Sequence, residues 1–271
     1  MIEALQYEFM QHALMAGLLA SFICGIMGTL AIVNRLVFLS GGIAHAAYGG
    51  IGLSIYMGWP FFLGTIGFSI ATALIMATIA LNNKERSDAI IGVIWASGMA
   101  CGIIWVDLTP GYQVDLISYL FGSILTVPTT DLFIMGVIAC LICIFISLFY
   151  NNLLAISYDE EFAKVRGVPV KCLYFSMIIL LTLTIVLVIR VVGLILVIAL
   201  LTIPAYIMEQ YAKSLFQMMI GAIILGCIFS IVGLLLAFQF NISAGASIII
   251  VASTAFFFNI GISSFFSSGK F

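Results

Sequence analysis

The feature that most constrains this chain is the length of its stretches without charge. Residues 36–83, 132–158 and 214–269 contain no Asp, Glu, Lys or Arg. Each stretch exceeds the roughly 20 apolar residues that cross a bilayer as one helix. Charged residues make up 7% of the chain, whereas a soluble domain has roughly 25%. Because so few charges cannot cover a soluble globule, we exclude a soluble enzyme, a nucleic-acid-binding protein and a disordered regulator, and predict an integral membrane protein.

The uncharged stretches predict helices rather than the strands of an outer-membrane barrel. They are continuously apolar, whereas barrel strands alternate over segments of about ten residues. Turn-forming residues divide the stretches into nine segments. These lie at about 13–34, 42–58, 60–82, 88–106, 131–150, 171–189, 191–208, 215–237 and 245–266. The second and seventh segments are marginal, so the sequence leaves eight or nine spanning helices open. Residues 116–127 are too short to cross and are predicted to be re-entrant or interfacial. The fold class is therefore an all-α, polytopic membrane protein, with residues 1–271 as one transmembrane domain.

The basic residues predict the orientation of the chain. If the loop around residues 84–86 faces the cytoplasm, alternation of nine spans places eight of the nine basic residues on that side: Arg35, Lys84, Arg86, Lys164, Arg166, Lys171, Lys213 and Lys270. Such a bias follows the positive-inside rule, so we predict an external N-terminus and a cytoplasmic C-terminus. Arg190 alone falls outside, where we expect it to pair with an acid. Asp107, Asp115 and Asp131 line the external mouth, either to attract cations or a basic partner, or simply as solvated carboxylates.

One cytoplasmic loop, residues 157–169, predicts a short helix. Ser157 and Glu160 match the S-x-x-E capping box, so a helix of about nine residues is expected to begin there. Acidic residues precede basic ones, which complements the helix dipole. Gly167 is expected to end the helix. The residues concerned are Asp159, Glu160, Glu161, Phe162, Lys164, Arg166 and Gly167.

This short helix has an apolar ridge, formed by Phe162 and Val165 at positions i and i+3. A capped helix with a ridge and mixed charges suits docking against a partner protein. The alternative is an interfacial helix in the lipid headgroups, which the acidic residues disfavour on an anionic leaflet.

Residues 157–170 resemble the coupling-helix loop of the bacterial ABC-type metal permeases, the membrane subunits of zinc, manganese and iron importers. Four further blocks are similar to elements of that family and stand in its order. They are residues 42–50 (GIAHAAYGG), 89–96 (AIIGVIWA), 119–125 (YLFGSIL) and 192–205 (VGLILVIALLTIPA). The resemblance covers about residues 15–260 and implies a type II ABC importer-like permease fold, with the coupling helix at about 157–167.

The block at 42–50 contains His45, which the resemblance implies as a metal-pathway residue. An ionisable group inside a membrane segment is by default a functional candidate, although a hydrogen-bonded packing histidine is the simpler alternative. Many family members have an Asp four residues before this histidine, where this chain has Gly41. That departure leaves open a metal chelate, rather than a bare cation, as cargo. Candidate gate or packing residues are Gly41, Gly49, Gly50, Gly193 and Pro204.

The resemblance also implies partners, since the chain contains no phosphate-binding G-x-x-x-x-G-K-[ST] motif. The chain itself is then no enzyme and holds no cofactor. The resemblance implies that separate cytoplasmic ABC ATPase subunits, docked on the coupling helix, would hydrolyse the ATP. A second permease copy and an extracytoplasmic metal-binding protein complete an importer in the bacterial cytoplasmic membrane, with a divalent transition metal ion as cargo.

Two other classes of function remain open at this point. An ion-gradient-driven secondary transporter predicts paired intramembrane acids or inverted repeats, neither of which is evident. A membrane anchor for a redox complex needs pairs of axial histidines, whereas this chain has only His12 and His45.

Overall fold

The computed structural model describes residues 7–82, 87–110, 122 and 124–267. Within this part of the chain the secondary structure is helical. The ten α-helices are α1 (Glu8–Val33), α2 (Val37–Met57), α3 (Phe61–Asn82), α4 (Ser87–Asp107), α5 (Thr129–Tyr158), α6 (Glu160–Val165), α7 (Val170–Val192), α8 (Leu194–Glu209), α9 (Leu215–Phe240) and α10 (Ala244–Ser267). One 3₁₀ turn, Ile124–Thr126, precedes α5.

All nine predicted membrane segments are helices in the structure. Seven of them, α1, α3, α4, α5, α7, α9 and α10, are long and apolar enough to cross a membrane. The two segments that the sequence leaves marginal are α2, which is rich in glycine and alanine, and α8, which has only 16 residues. The predicted all-α, polytopic fold is therefore confirmed. Most of the predicted re-entrant segment at 116–127 lies outside the described residues.

Helix α1 lies at the centre of the bundle. Of the 18 consecutive residues of α1 that are most apolar, 72% are buried inside the protein, whereas this share is 22% for α4 and for α5. It packs against α5, α7, α8 and α9. Its contact with α9 contains a buried hydrogen bond between Ser21 Oγ and Ser230 Oγ, 2.9 Å long. Small residues bring the backbones close, since a Cβ on Gly28 would lie 2.0 Å from Leu201 O in α8. This is the packing expected of membrane helices, whose interfaces are enriched in small residues.

Helices α2, α3 and α4 form a second group beside α1. In the contact of α2 with α4, a Cβ on Gly52 would lie 2.2 Å from Gly102 O, and one on Gly49 would lie 2.7 Å from Gly98 O. Gly50 faces α3, where a Cβ would lie 2.8 Å from the Cα of Thr65. The backbone of α2 is therefore in close contact with α4 on one side and with α3 on the other. Helix α7 contacts α1, α2 and α3, and so joins the two groups.

Gly193 is the single residue between α7 and α8. Its backbone has φ 87° and ψ 162°, a conformation that is essentially restricted to glycine. Helix α8 continues through Pro204, which is buried within it. The chain therefore turns sharply at Gly193 without a loop.

Candidate functional site

His45 lies on α2, eight residues after that helix begins. Its ring stacks on the indole of Trp95 from α4, with 4.3 Å between ring centroids and 16° between the ring planes. Within the described part of the chain, the buried Nδ1 atom of His45 has no hydrogen-bond partner. The stack fixes the plane of the imidazole by contact between the ring faces. The Nδ1 atom is therefore a buried polar atom whose hydrogen-bonding capacity no described residue uses.

The space beside His45 is open at Gly41, one helical turn earlier. A Cβ placed on Gly41 would meet no atom within 4 Å in the described chain. Residues four apart share a helix face, so this space adjoins the side of α2 that carries the imidazole. Gly49 and Gly50 behave differently, because the Phe68 side chain and neighbouring backbones fill the space around them. Gly41 is thus an open position, whereas Gly49 and Gly50 are packing positions.

One acidic candidate, Asp107, lies well along α4 from the pair of His45 and Trp95. Asp107 is the last residue of α4, twelve positions beyond Trp95, which places it roughly 18 Å along the helix axis from the stacked pair. Asp131 lies in the first turn of α5 and is 8% exposed. Asp115 lies outside the described residues. Within the described residues, no acid is bonded to Nδ1 of His45.

Asp131 pairs with Arg190, as the sequence predicts for that arginine. The Nε atom of Arg190 lies 3.1 Å from Oδ2 of Asp131. The carboxylate is nearly buried, with 10% of its side chain exposed, and the arginine side chain is 41% exposed. Asp131 is consequently engaged in joining α5 to the end of α7.

Few metal ligands lie close together in the part of the chain that the structure describes. Across residues 7–82, 87–110 and 124–267, the structure contains no group of three or more His, Cys, Asp or Glu side chains that could hold a metal ion. Two buried hydroxyls that the sequence pattern does not single out also lack hydrogen-bond partners there: Ser69 Oγ on α3 and Thr184 Oγ1 on α7. No simple signal marks them, because serine and threonine in membrane helices usually bond to a carbonyl one turn earlier.

The short helix after α5 is α6, and its start differs from the sequence prediction. The predicted capping box of Ser157 and Glu160 is wrong. Ser157 belongs to the last turn of α5, which continues to Tyr158. The N-cap is Asp159, whose Oδ1 accepts hydrogen bonds from Glu161 N and Phe162 N, both 3.0 Å long. Helix α6 therefore has six residues rather than about nine.

The end of α6 follows the prediction. Gly167 has φ 77°, and two backbone bonds close the turn: Gly167 N to Lys164 O at 3.0 Å and Val168 N to Ala163 O at 3.1 Å. This pair of bonds is a Schellman motif, which favours glycine at the left-handed position. Both ends of α6 are thus fixed by bonds to backbone groups.

The outer surface of α6 combines charged and apolar side chains. Lys164 Nζ lies 2.6 Å from Glu160 Oε1, and the Arg166 guanidinium lies 5.1 Å from the centre of the Phe162 ring. Phe162 is 49% exposed and Val165 is 88% exposed. The predicted ridge is therefore available to a partner protein.

Comparison with known proteins decides the family. The ABC 3 transport family matches residues 6–263, nearly the whole chain. The chain belongs to this family. The resemblance that the sequence motifs indicated is thereby confirmed.

Three proteins show how this member of the ABC 3 transport family relates to others. It is 50% identical to the "Uncharacterized membrane protein slr2045" of Synechocystis over 96% of this chain and 92% of that one. It is 32% identical to the "Manganese transport system membrane protein MntC" of Halalkalibacterium halodurans over 95% of this chain and 89% of that one. Among solved structures, it is similar to PsaBC from Streptococcus pneumoniae in complex with Fab, with a TM-score of 0.85 and 35% identity over 95% of this chain and 93% of that one.

Proposed function

We propose that the chain is the membrane-spanning permease subunit of an ATP-driven importer for a divalent transition metal ion, with manganese as the first cargo to test. The observation that carries this proposal is the agreement with PsaBC along nearly the full length of both chains. Manganese follows from the names of relatives, such as the "Manganese import system permease protein ScaB" of Streptococcus gordonii, which is 33% identical. Zinc and iron are the competing cargoes.

His45 is the proposed pathway ligand for the cation. A neutral imidazole nitrogen binds divalent transition metals, and the buried Nδ1 of His45 has no partner in the described chain. A pathway site must release its ion as well as bind it. A lone imidazole suits that requirement better than a closed set of three or four strong ligands.

Helix α6 is the proposed docking site of the ATPase. Its exposed ridge of Phe162 and Val165 would enter a groove of a separate cytoplasmic subunit, and its charged residues would fix the orientation. Nucleotide-driven closure of two ATPases would move the α6 helices of two permease copies and alternate the access of the pathway between the two sides. An extracytoplasmic metal-binding protein would deliver the ion at the end with Asp107 and Asp131. This arrangement places α6 and the C-terminus in the cytoplasm and the N-terminus outside.

Uptake by the complex tests the cargo. The chain and its ATPase are reconstituted in proteoliposomes, and ATP-dependent entry of manganese, zinc and iron is measured separately. We expect His45→Ala to lower manganese uptake at least about tenfold, the effect of losing roughly 1.4 kcal/mol of interaction. The matched control is His12→Ala, because the Nδ1 atom of His12 is already within 3.2 Å of Val127 O. Wild-type uptake by His45→Ala would remove this residue from the pathway.

Charge reversal tests the docking site. We expect Glu160→Lys combined with Glu161→Lys to abolish co-purification with the ATPase, because it reverses the acidic face of α6. The control is Glu209→Lys, an exposed acid at the end of α8. Assembly and transport at wild-type levels in the double variant would contradict the assignment of α6.

The open space at Gly41 favours a second candidate cargo, a metal chelate. A chelate needs more room than a bare ion and brings its own oxygen or nitrogen ligands, so it depends less on protein carboxylates. Uptake that requires a chelator, with no entry of the free ion, would favour this alternative.

A further inference from the structure

Asn34 makes a polar contact at the α6 end of the bundle that the transport proposal does not use. It caps the end of α1. Its Nδ2 atom donates to Leu30 O at 2.8 Å and to Ser157 Oγ at 3.1 Å. The sulfur of Met177 lies 3.9 Å from the same nitrogen. An amide has two N–H donors, so the two shorter bonds use both and the thioether packs beside them.

The partners of Asn34 lie on the two helices that flank α6. Ser157 is in the last turn of α5, two residues before Asp159, the N-cap of α6. Met177 is in α7, the helix that follows α6. Since both caps of α6 are fixed, a displacement of α6 acts on the adjoining ends of α5 and α7. Asn34 contacts α5 at its last turn, through Ser157, and α7 at Met177, about two turns after α7 begins.

The chain after Asn34 turns directly into α2, the helix that carries His45. Arg35 has φ 58°, a left-handed conformation that is uncommon outside glycine. Arg35 N bonds to Ile32 O at 3.0 Å and Leu36 N bonds to Ala31 O at 2.6 Å. These bonds form a second Schellman motif, and Leu36 is buried at 5% exposure. Such a corner is stiff, so it transmits a displacement of α1 to the start of α2.

We propose that Asn34 is a positioning residue that couples movement of α6 to α2 and therefore to His45. The coupling runs from α6 through Ser157 to Asn34, then through the Arg35 corner into α2. This inference rests on the proposed function, because it assigns Asn34 a role in ATP-driven transport.

The test compares cargo moved with ATP hydrolysed. The chain and its ATPase are reconstituted in proteoliposomes, and manganese imported per ATP is measured for Asn34→Ala, Ser157→Ala and the double variant. We expect each single variant to lower this ratio about threefold to tenfold, the equivalent of one net hydrogen bond. The double variant should match Asn34→Ala, because that substitution already removes the contact between Asn34 and Ser157. The control is Thr78→Val, whose hydroxyl bonds only to Leu74 O within its own helix.

A second readout does not depend on the cargo. In a background of Trp59→Phe and Trp105→Phe, Trp95 is the remaining tryptophan of the chain's three, and its emission reports the surroundings of the stacked pair with His45. We expect ATP to change this emission in the complex, and Asn34→Ala to reduce the change at least threefold while ATPase binding persists.

The outcomes separate this inference from the proposed function. An unaltered ratio together with an unaltered Trp95 response would overturn the role of Asn34. The role would also be overturned if the effects of the two single substitutions multiplied in the double variant. It would be overturned too if the variants lost folded complex but kept the wild-type ratio of manganese imported to ATP hydrolysed. If the complex assembles but moves no manganese, the cargo assignment fails and the Trp95 response still decides the coupling. A chain that binds no ATPase would overturn both proposals.

Discussion

Removal of the Asp159 cap should loosen α6 and weaken its docking. Asp159 supplies two hydrogen bonds of 3.0 Å to the first turn of a six-residue helix. An N-cap aspartate contributes about 1 kcal/mol, within a range of about 0.5–2 kcal/mol. A helix this short has little stability of its own. For Asp159→Ala we therefore expect the ratio of formed to unformed α6 to fall about fivefold, since 1.4 kcal/mol corresponds to about tenfold.

Two measurements check this magnitude. Hydrogen–deuterium exchange at the amides of Glu161 and Phe162, the two groups that lose their acceptor, should become several times faster. The dissociation constant for the ATPase subunit should rise by at most the same factor, because binding selects the formed helix.

A matched variant separates the cap from its charge. Asp159→Asn keeps a side-chain oxygen acceptor, and asparagine is as good an N-cap as aspartate. We expect this variant to retain most of the protection and of the affinity, losing only the interaction with the helix dipole, about 0.3–1 kcal/mol or less at an exposed site. Unchanged exchange in Asp159→Ala would refute the capping argument. Equal losses in both variants would show that the negative charge, rather than the cap, stabilises α6.

Two further predictions concern packing. Arg190→Met should lower the thermal unfolding temperature in detergent more than Asp131→Asn does, because the first leaves a nearly buried carboxylate unpaired while the second removes that charge. Adding Asp131→Asn to Arg190→Met should recover part of the loss, and a purely additive result would argue against a direct ion pair. Gly28→Ala should destabilise the chain by about 1–3 kcal/mol through overpacking against Leu201 O. Gly136→Ala, at a position with open space, should leave thermal stability unchanged or slightly higher.

The positions of the membrane helices were predictable from the sequence because the signal is local. Long runs without charge mark them directly. Helix α2 is the instructive case, because it has 21 residues but is not among the seven helices that are long and apolar enough to cross a membrane. Its glycine, alanine and serine residues are buried by α3, α4 and α7 rather than by lipid. Small residues allow close helix packing but add little hydropathy, so a hydrophobicity pattern understates a membrane helix that is rich in them.

The start of α6 was not predictable by the same means. Ser157 and Asp159 are both good N-cap residues, and the local pattern favours the serine because a glutamate follows three residues later. The choice depends on where α5 ends. Helix α5 continues through Ser157, whose hydroxyl bonds to Asn34 across 123 positions of sequence. A contact of that range lies beyond any local rule.

The candidate pathway was only partly predictable. A lone histidine inside an apolar segment draws attention by itself, so His45 could be singled out from sequence. Its stacking on Trp95 and the lack of a partner for its Nδ1 depend on how α2 and α4 pack. Asp131 shows the opposite case. Its position near the predicted external mouth suggests a cation site, but in the structure its carboxylate forms an ion pair with Arg190.

The glycine contacts between α2 and α4 have a consequence for how any movement can be observed. Gly49 and Gly52 bring the α2 backbone against that of Gly98 and Gly102, so no flexible side chains separate the two helices there. We expect the two helices to move together, because their backbones are in direct contact along this face. A probe attached to the exposed side of α4 therefore follows α2, and the buried histidine helix can be tracked without placing a label on it.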